Sequence, residues 1–204
     1  MKLKIDCNWH KYVDLGLPNG LLWATCNVGT KEPWERGLYF SWGNVDGHAY
    51  GSGYYFCETD YATTPGASLT DNMPVDAKYD AARANFDGSW RTPTTDEFKE
   101  LHYNCISEWA VQRDVCGRMF TSRINGNSVF FPAAGGYYGN VFIGNCASGC
   151  YWSSSPRSQF NAYCLYVNYG GVAPQSYSLR LIGYTIRAVL DHPKDSLLIK
   201  TIKR

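Results

Sequence analysis

Tyr12-Val-Asp-Leu-Gly-Leu-Pro-Asn-Gly-Leu-Leu-Trp-Ala-Thr-Cys26 reads as a β-hairpin. Two apolar runs flank Pro18-Asn19-Gly20, and Asn-Gly is a strong turn signal because both residues tolerate the positive φ of a tight hairpin turn. The same pattern returns in Gly117-Arg-Met-Phe-Thr-Ser-Arg-Ile-Asn-Gly-Asn-Ser-Val-Phe-Phe-Pro132, around Asn125-Gly126. Pro132-Ala-Ala-Gly-Gly136 then breaks it. From Val111 onward the chain reads as strands and turns, with Cys150-Tyr-Trp-Ser-Ser-Ser155, Ala162 to Asn168 and Arg180 to Val189 as short strands.

Helical signals come earlier. In Trp90-Arg-Thr-Pro-Thr-Thr-Asp-Glu-Phe-Lys-Glu-Leu101, Thr94 or Thr95 can cap a helix, and Asp96 and Glu97 suit its positive end. Phe98, Leu101 and Cys105 then fall on one apolar face. Asp76 to Asn85 holds good helix formers, and Pro33-Trp-Glu could open a short helix before the apolar Tyr39-Phe-Ser-Trp. A few helices ahead of many short strands predict an α+β fold with antiparallel sheet.

Composition bounds the function. With 204 residues the chain fits one domain, read as 1–190 with a tail over 191–204. Aromatic residues reach 16%, with 16 Tyr and 7 Trp, while charged residues hold only 18% against about 25% in a typical globular chain. A net charge of +1 gives no field that would draw nucleic acid or an anionic membrane surface. No segment approaches the ~18 apolar residues of a membrane helix. Met1 to His10 lacks the apolar stretch of a signal peptide. That favours reduced, mostly buried cysteines among the eight: Cys7, Cys26, Cys57, Cys105, Cys116, Cys146, Cys150 and Cys164. Asn44 to Pro74 has no clear period and reads as a long surface insert, and Lys194 to Arg204 as a solvated terminus or a packed helix.

Candidate chemistry is sparse. His10, His48, His102 and His192 never fall at metal spacing, and Cys146-x-x-x-Cys150 has no second pair to complete a zinc site. That cysteine pair reads as a structural thiol pair or disulfide. Ser153, Ser154 and Ser155 lack the Gly-x-Ser-x-Gly elbow of a nucleophile and read as serines satisfying backbone groups beside a buried Trp152. Gly47 to Gly53 lacks the Lys-Ser/Thr of a phosphate loop. Asp46, Asp60, Asp71, Asp76 and Asp80 match no calcium loop and read as solvated carboxylates. No metal and no cofactor is expected.

What remains is Pro156 to Tyr184. In Tyr163-Cys-Leu-Tyr-Val167, alternation sends Tyr163, Leu165 and Val167 to one face and Cys164 and Tyr166 to the other. A turn around Gly170, Gly171 and Pro174 predicts exposure of Tyr169, Ala173, Gln175, Ser176 and Tyr177. Tyr, Ser and Gly form the palette of antibody-like binding loops. Composition alone leaves two readings open, a binding surface or the ordinary share of an aromatic-rich chain.

Several motifs in order carry a resemblance. Tyr12 to Gly29, Tyr39-Phe-Ser-Trp-Gly43, Trp90-Arg-Thr-Pro-Thr94, Asn125-Gly-Asn-Ser-Val-Phe-Phe-Pro-Ala-Ala-Gly135, Tyr151-Trp-Ser-Ser-Ser155 and Gly183-Tyr-Thr-Ile-Arg-Ala-Val189 resemble a large paralogous domain family of gut Bacteroidetes and their phages. The match runs from about Tyr12 to Leu190. That family resembles the C-type lectin fold in the version shared with formylglycine-generating enzymes. Some members are variable proteins of diversity-generating retroelements, in which adenine mutagenesis rewrites codons of the last exposed segment.

The resemblance implies a non-catalytic, receptor-binding scaffold with a diversifiable segment over about 156–185. Its partner would be a protein or glycan, such as one on a host cell surface, with the chain virion-associated or displayed through another protein. The positions carried over as ligand-binding are Arg157, Ser158, Phe160, Cys164, Tyr166, Tyr169, Gly171, Ala173, Ser176, Tyr177, Ser178, Leu179, Leu181, Ile182 and Tyr184. The fixed positions would be Tyr151 to Ser155, Asn161 to Tyr163, Asn168, Gly170, Pro174, Arg180, Gly183 and Arg187. Adenine changes in an Asn codon yield Tyr, Ser, Gly, Ala, Cys, Phe, Leu, Ile or Arg, but not Lys, Glu, Met, Trp or Gln. Arg157 to Thr185 contains no Lys, Glu, Met or Trp; Gln159 and Gln175 depart from the pattern. A formylglycine-generating-type oxidase is the alternative, with two closely spaced cysteines after a Gly-Gly. Here Gly170-Gly171 is followed by Val-Ala-Pro-Gln-Ser-Tyr, without a cysteine. A surface adhesin paralogue without selected variability is a third reading.

Overall fold

The computed structural model describes residues 4–5, 10–52, 75–86, 89–144 and 146–191. The strands are β1 (Lys4–Ile5), β2 (Lys11–Asp14), β3 (Leu22–Ala24), β4 (Trp90–Arg91), β5 (Cys105–Gln112), β6 (Val115–Ser122), β7 (Ser128–Pro132), β8 (Gly136–Tyr138), β9 (Val141–Ile143), β10 (Ser148–Pro156), β11 (Asn161–Asn168), β12 (Gly171–Leu179) and β13 (Val189–Leu190). The helices are α1 (Ala81–Phe86) and α2 (Thr95–Asn104). The architecture is α+β, dominated by short antiparallel strands, as the pattern of the sequence predicts.

The opening hairpin forms where Asn19-Gly20 places it. Val13 pairs with Trp23 and Asp14 with Leu22, and the Gly20 amide donates to the Leu17 carbonyl at 2.8 Å. Gly20 takes φ +71°, which explains the glycine. The late strand β13 inserts between β3 and β4, completing a sheet in the order β1-β2-β3-β13-β4. The remaining sheets are β5-β6-β7, β8-β9 and β10-β11-β12.

Helix α2 starts as its capping signals predict. Thr94 accepts from the Glu97 amide and Glu97 reaches back to the Thr94 amide, a capping box. Phe98 and Leu101 are fully buried on the predicted face, and the buried Cys105 already opens β5. The strand region therefore begins at Cys105, ahead of Val111. Thr95 does not cap; its amide donates to Ser155 Oγ, and its hydroxyl contacts Ser153 Oγ.

Further expectations change. Of Arg180 to Val189, expected as a strand, only Val189 belongs to one, β13, while 183–185 make isolated bridges. Pro33-Trp-Glu forms a turn and no helix, with the Glu35 amide on the Glu32 carbonyl. Asp76 to Asn85 splits into a single 3₁₀ turn, Ala77–Tyr79, and α1. Asp80 sits at the break and is buried, against the expectation of a solvated carboxylate. It accepts from the Ala82 amide at the start of α1 and from the Thr92 amide and hydroxyl, so it ties α1 to the approach to α2. Asp60 and Asp71, most of the 44–74 insert and the tail from 192 lie outside the described residues.

The interior holds two clusters. One gathers Phe40, Trp42, Trp90, Trp152, Ile182 and Tyr184; the other gathers Trp23, Phe98, Phe120, Phe131, Tyr151, Leu165 and Val167. Trp152 and Tyr151 are neighbours on β10 and face opposite clusters, so this strand is the wall between them. Arg187 is fully buried at the junction. It donates to Asn27 Oδ1 and to the Ala24 and Phe130 carbonyls at 2.9–3.1 Å.

Candidate ligand surface

The sheet β10-β11-β12 carries the segment singled out in the sequence. Alternation sorts β11 as predicted: Leu165 and Val167 enter one cluster, and Ala162 and Cys164 the other. The strand is therefore covered on both sides, and exposure falls on β12. Along β12, Ala173, Gln175, Tyr177 and Leu179 are exposed, while the even-numbered residues between them are half-buried. Among the described residues, no strand pairs the outer edge of β12. Pro174 lies on that edge, where its missing amide costs no ladder bond. The β11–β12 register shifts between Cys164 and Tyr166, so Cys164 faces Ser176 and Tyr166 faces Ala173.

The carried-over positions separate into three groups. Arg157, Phe160, Tyr169, Ala173, Tyr177 and Leu179 are exposed, with Tyr169 at 78%. Ser158, Tyr166, Gly171, Ser176 and Ser178 are half-buried. Cys164, Leu181, Ile182 and Tyr184 are buried, which corrects the expectation that they lie outward. The reason is long-range. After Leu179 the chain turns inward, and the Ile182 amide donates back to the Leu179 carbonyl. Leu181, Ile182 and Tyr184 join the Trp152 cluster, and Tyr184 lies 4.8 Å from the Trp152 ring.

Cys150 packs against the cluster that holds Cys164 and Tyr184, and the Tyr184 hydroxyl lies 3.1 Å from Ser178 Oγ. Desolvation drives the Tyr184 phenol far above its ordinary value, so it stays neutral. On the exposed side, the Arg157 guanidinium stacks on the Tyr177 ring at 3.3 Å.

A second exposed apolar face lies outside the segment. In β8 and β9, Tyr138 pairs with Val141 and Gly136 with Ile143, which puts all four on one face. Tyr138, Val141 and Ile143 are exposed. A side chain at Gly136 would strike the Tyr184 ring at 2.5 Å, so Tyr184 lies over this same face. Tyr138, Val141 and Ile143 are not among the positions expected outward, although Gly139-Asn140 between two apolar runs is a hairpin signal that marks them.

The turns bounding β11 are held through main-chain atoms. Arg118 donates to the Asn168 and Tyr169 carbonyls, each at 3.1 Å, and to Ser107 O. Arg180 donates to the Ser158 and Asn161 carbonyls and stacks on Trp42 at 4.2 Å. Asn168 Oδ1 accepts from the Gly171 amide, and Ser158 Oγ accepts from the Phe160 and Asn161 amides. Ser158 thus has a structural role although it was carried over as a ligand contact. Asn168, Arg180 and Arg187, carried over as fixed positions, all hold the scaffold.

The remaining chemical candidates find plain roles. Ser153 Oγ donates to the Tyr163 carbonyl and Ser155 Oγ accepts from the Thr95 amide, as expected of serines beside a buried Trp, whereas the buried Ser154 Oγ has no hydrogen-bond partner among the described residues. Cys146 does not meet Cys150; it is exposed and accepts from Arg36 at 3.3 Å. The six described cysteines are free. Cys26, Cys105 and Cys164 are buried, Cys116 and Cys150 half-buried, and Cys7 and Cys57 lie outside the described residues. No group of three or more His, Cys, Asp or Glu among the described residues is placed to hold a metal ion. No helix among them is long and apolar enough to cross a membrane. Comparison with protein-family models, with curated proteins and with solved structures finds no match for this chain.

Proposed function

We propose that this chain is a ligand-recognition protein of C-type-lectin-like fold, a variable protein of a diversity-generating retroelement. Its ligand surface is the exposed row of β12 with Tyr169 and the adjoining 157–160 turn. It takes a protein or glycan on a cell surface and performs no chemistry on it. The observation that carries this reading is the way the segment is fixed. The two turns that bound β11 are gripped at carbonyls by Arg118 and Arg180, which bond no side chain of the outward residues. Arg157, Phe160, Tyr169, Ala173, Tyr177 and Leu179 are left pointing outward. The motifs that resemble the family lie in the interior, with Trp23, Tyr39 to Trp42, Trp90, Phe130 to Ala134, Tyr151 to Ser155 and Ile186 to Val189 all buried. That supports reading them as determinants of the fold. The palette of Tyr, Phe, Leu and Arg suits anchoring contacts, which in protein interfaces concentrate in aromatic residues and Arg.

The test is a library randomised at Arg157, Phe160, Tyr169, Ala173, Tyr177 and Leu179, scored for folding and panned on cell-surface proteins and glycans. Most members should fold, and panning should return binders whose affinity follows these positions. Sequencing the source genome should show a nearby reverse transcriptase and a template repeat differing at adenines. A library that mostly fails to fold, or a genome with neither element, would reject the reading.

A further inference from the structure

Ser41 and Ser154 carry buried hydroxyls that neither the fold nor the ligand surface uses. The two residues are 4% and 1% exposed. Neither Oγ has a hydrogen-bond partner among the described residues, and a hydroxyl taken out of water without a partner is costly. The backbone explains why Ser154 stands apart. The β10–β11 register is interrupted between Trp152 and Pro156. The Ser154 main chain bonds elsewhere: its amide donates to the Pro93 carbonyl at 2.8 Å, and its carbonyl accepts from the Val75 amide at 2.9 Å. Its neighbours spend their hydroxyls, Ser153 on the Tyr163 carbonyl and Ser155 on the Thr95 amide. Ser41 and Ser154 line one cavity, with Trp42, Asn44, Val75 and Trp152 around it. Both indoles are already committed. Trp42 Nε1 donates to the Ser153 carbonyl at 2.7 Å and Trp152 Nε1 to the Phe40 carbonyl at 2.8 Å.

We infer that this cavity is a binding site for one water molecule that bridges Ser41 Oγ and Ser154 Oγ. Size decides the class of occupant. The cavity gives a water-sized sphere about 10 Å³ of room. One water needs roughly 10–15 Å³ on that measure, so nothing larger fits. Charge points the same way. The groups awaiting a partner are two neutral hydroxyls, and no carboxylate of the described residues lines the cavity, whereas a calcium-like cation takes six or more oxygens. A water is satisfied by two to four bonds, and each hydroxyl can donate to it or accept from it. Its position gives this water a structural task. Asn44 opens the 44–74 insert, Val75 follows its last residue, and both line the cavity beside β10. The bridge joins the segment entering the insert to the strand that walls the two clusters, at the point where Val75 already bonds Ser154.

A crystal structure of the full chain, at a resolution that shows ordered solvent, should place one density peak within hydrogen-bond distance of both Ser41 Oγ and Ser154 Oγ. In solution, oxygen-17 relaxation dispersion should count one long-lived water fewer in the S41A/S154A double variant than in the unsubstituted chain. S41A alone should speed hydrogen exchange of the Val75 amide, across the cavity, by roughly three- to ten-fold, which is what one lost hydrogen bond is worth. The inference is overturned by a cavity without a peak, or by a peak bonded to only one of the two serines. Hydroxyls turned onto protein atoms would overturn it too, and a peak ringed by six or more oxygens would replace the water with a cation. Should the double variant fail to fold, the density of the unsubstituted chain decides alone. No ligand enters these measurements, so their outcome is separate from that of the panning.

Discussion

Strands β10 and β12 each run nine residues on opposite sides of β11, yet they lead opposite lives. Seven of the nine residues of β10 are buried, and its side chains are structural: Trp152 donates to the Phe40 carbonyl, Tyr151 to the Pro132 carbonyl and Ser153 to the Tyr163 carbonyl. Along β12 no residue is buried. Its neighbouring turns are held by arginines through carbonyls. A side chain on β10 is thus part of the scaffold, while most side chains on β12 are decoration on it.

The contrast can be broken at its strong end first. Trp152→Ala removes a ring packed on Tyr184 and one of the two donors to the Phe40 carbonyl, and should cost about 3–5 kcal/mol in denaturant unfolding. A loss below about 1 kcal/mol would mean that β10 is not the wall described. Arg118→Ala leaves carbonyls at Asn168, Tyr169 and Ser107 without their donor and should cost about 1–3 kcal/mol. Hydrogen exchange should locate that effect, with the Gly171 amide losing protection ahead of the β10 amides. The smallest effect belongs to Arg157 and Tyr177. A double-mutant cycle to Ala should return a coupling of about 0.5–1 kcal/mol from their stacking, and Leu179→Ala should change stability by no more than about 0.5 kcal/mol. A larger cost at Leu179 would make β12 structural and erase the contrast.

What the sequence reveals follows the range of the interactions. The Asn19-Gly20 hairpin and the Thr94 cap are legible because the residues that set them lie within a few positions of one another. The face of Cys164 is legible from alternation, but its burial is not. That depends on Tyr184 and Trp152, which pack over it only after the chain has turned back at 180–182. Asp80 is misread for the same reason, since its partner Thr92 lies twelve residues away. Insertion of β13 between β3 and β4 joins residues more than 160 positions apart in register, and no local pattern announces it. On the candidate surface, the segment after Gly171 reads as a turn, and its extension into β12, with Ser176 half-buried rather than exposed, depends on pairing with β11.

Pro174 and the register shift beside it have a consequence for solubility. A free strand edge is a template for pairing with other chains, and the hazard grows as neighbouring side chains become more apolar. If the segment is diversified as proposed, charged side chains cannot be relied on to block that edge. Here the block is written into the backbone: a proline that offers no donor, next to a kink in the ladder. Such a guard keeps its effect whichever residues occupy 173, 175, 177 and 179. Replacing Pro174 with Val should leave the fold in place while promoting concentration-dependent assembly, readable by light scattering.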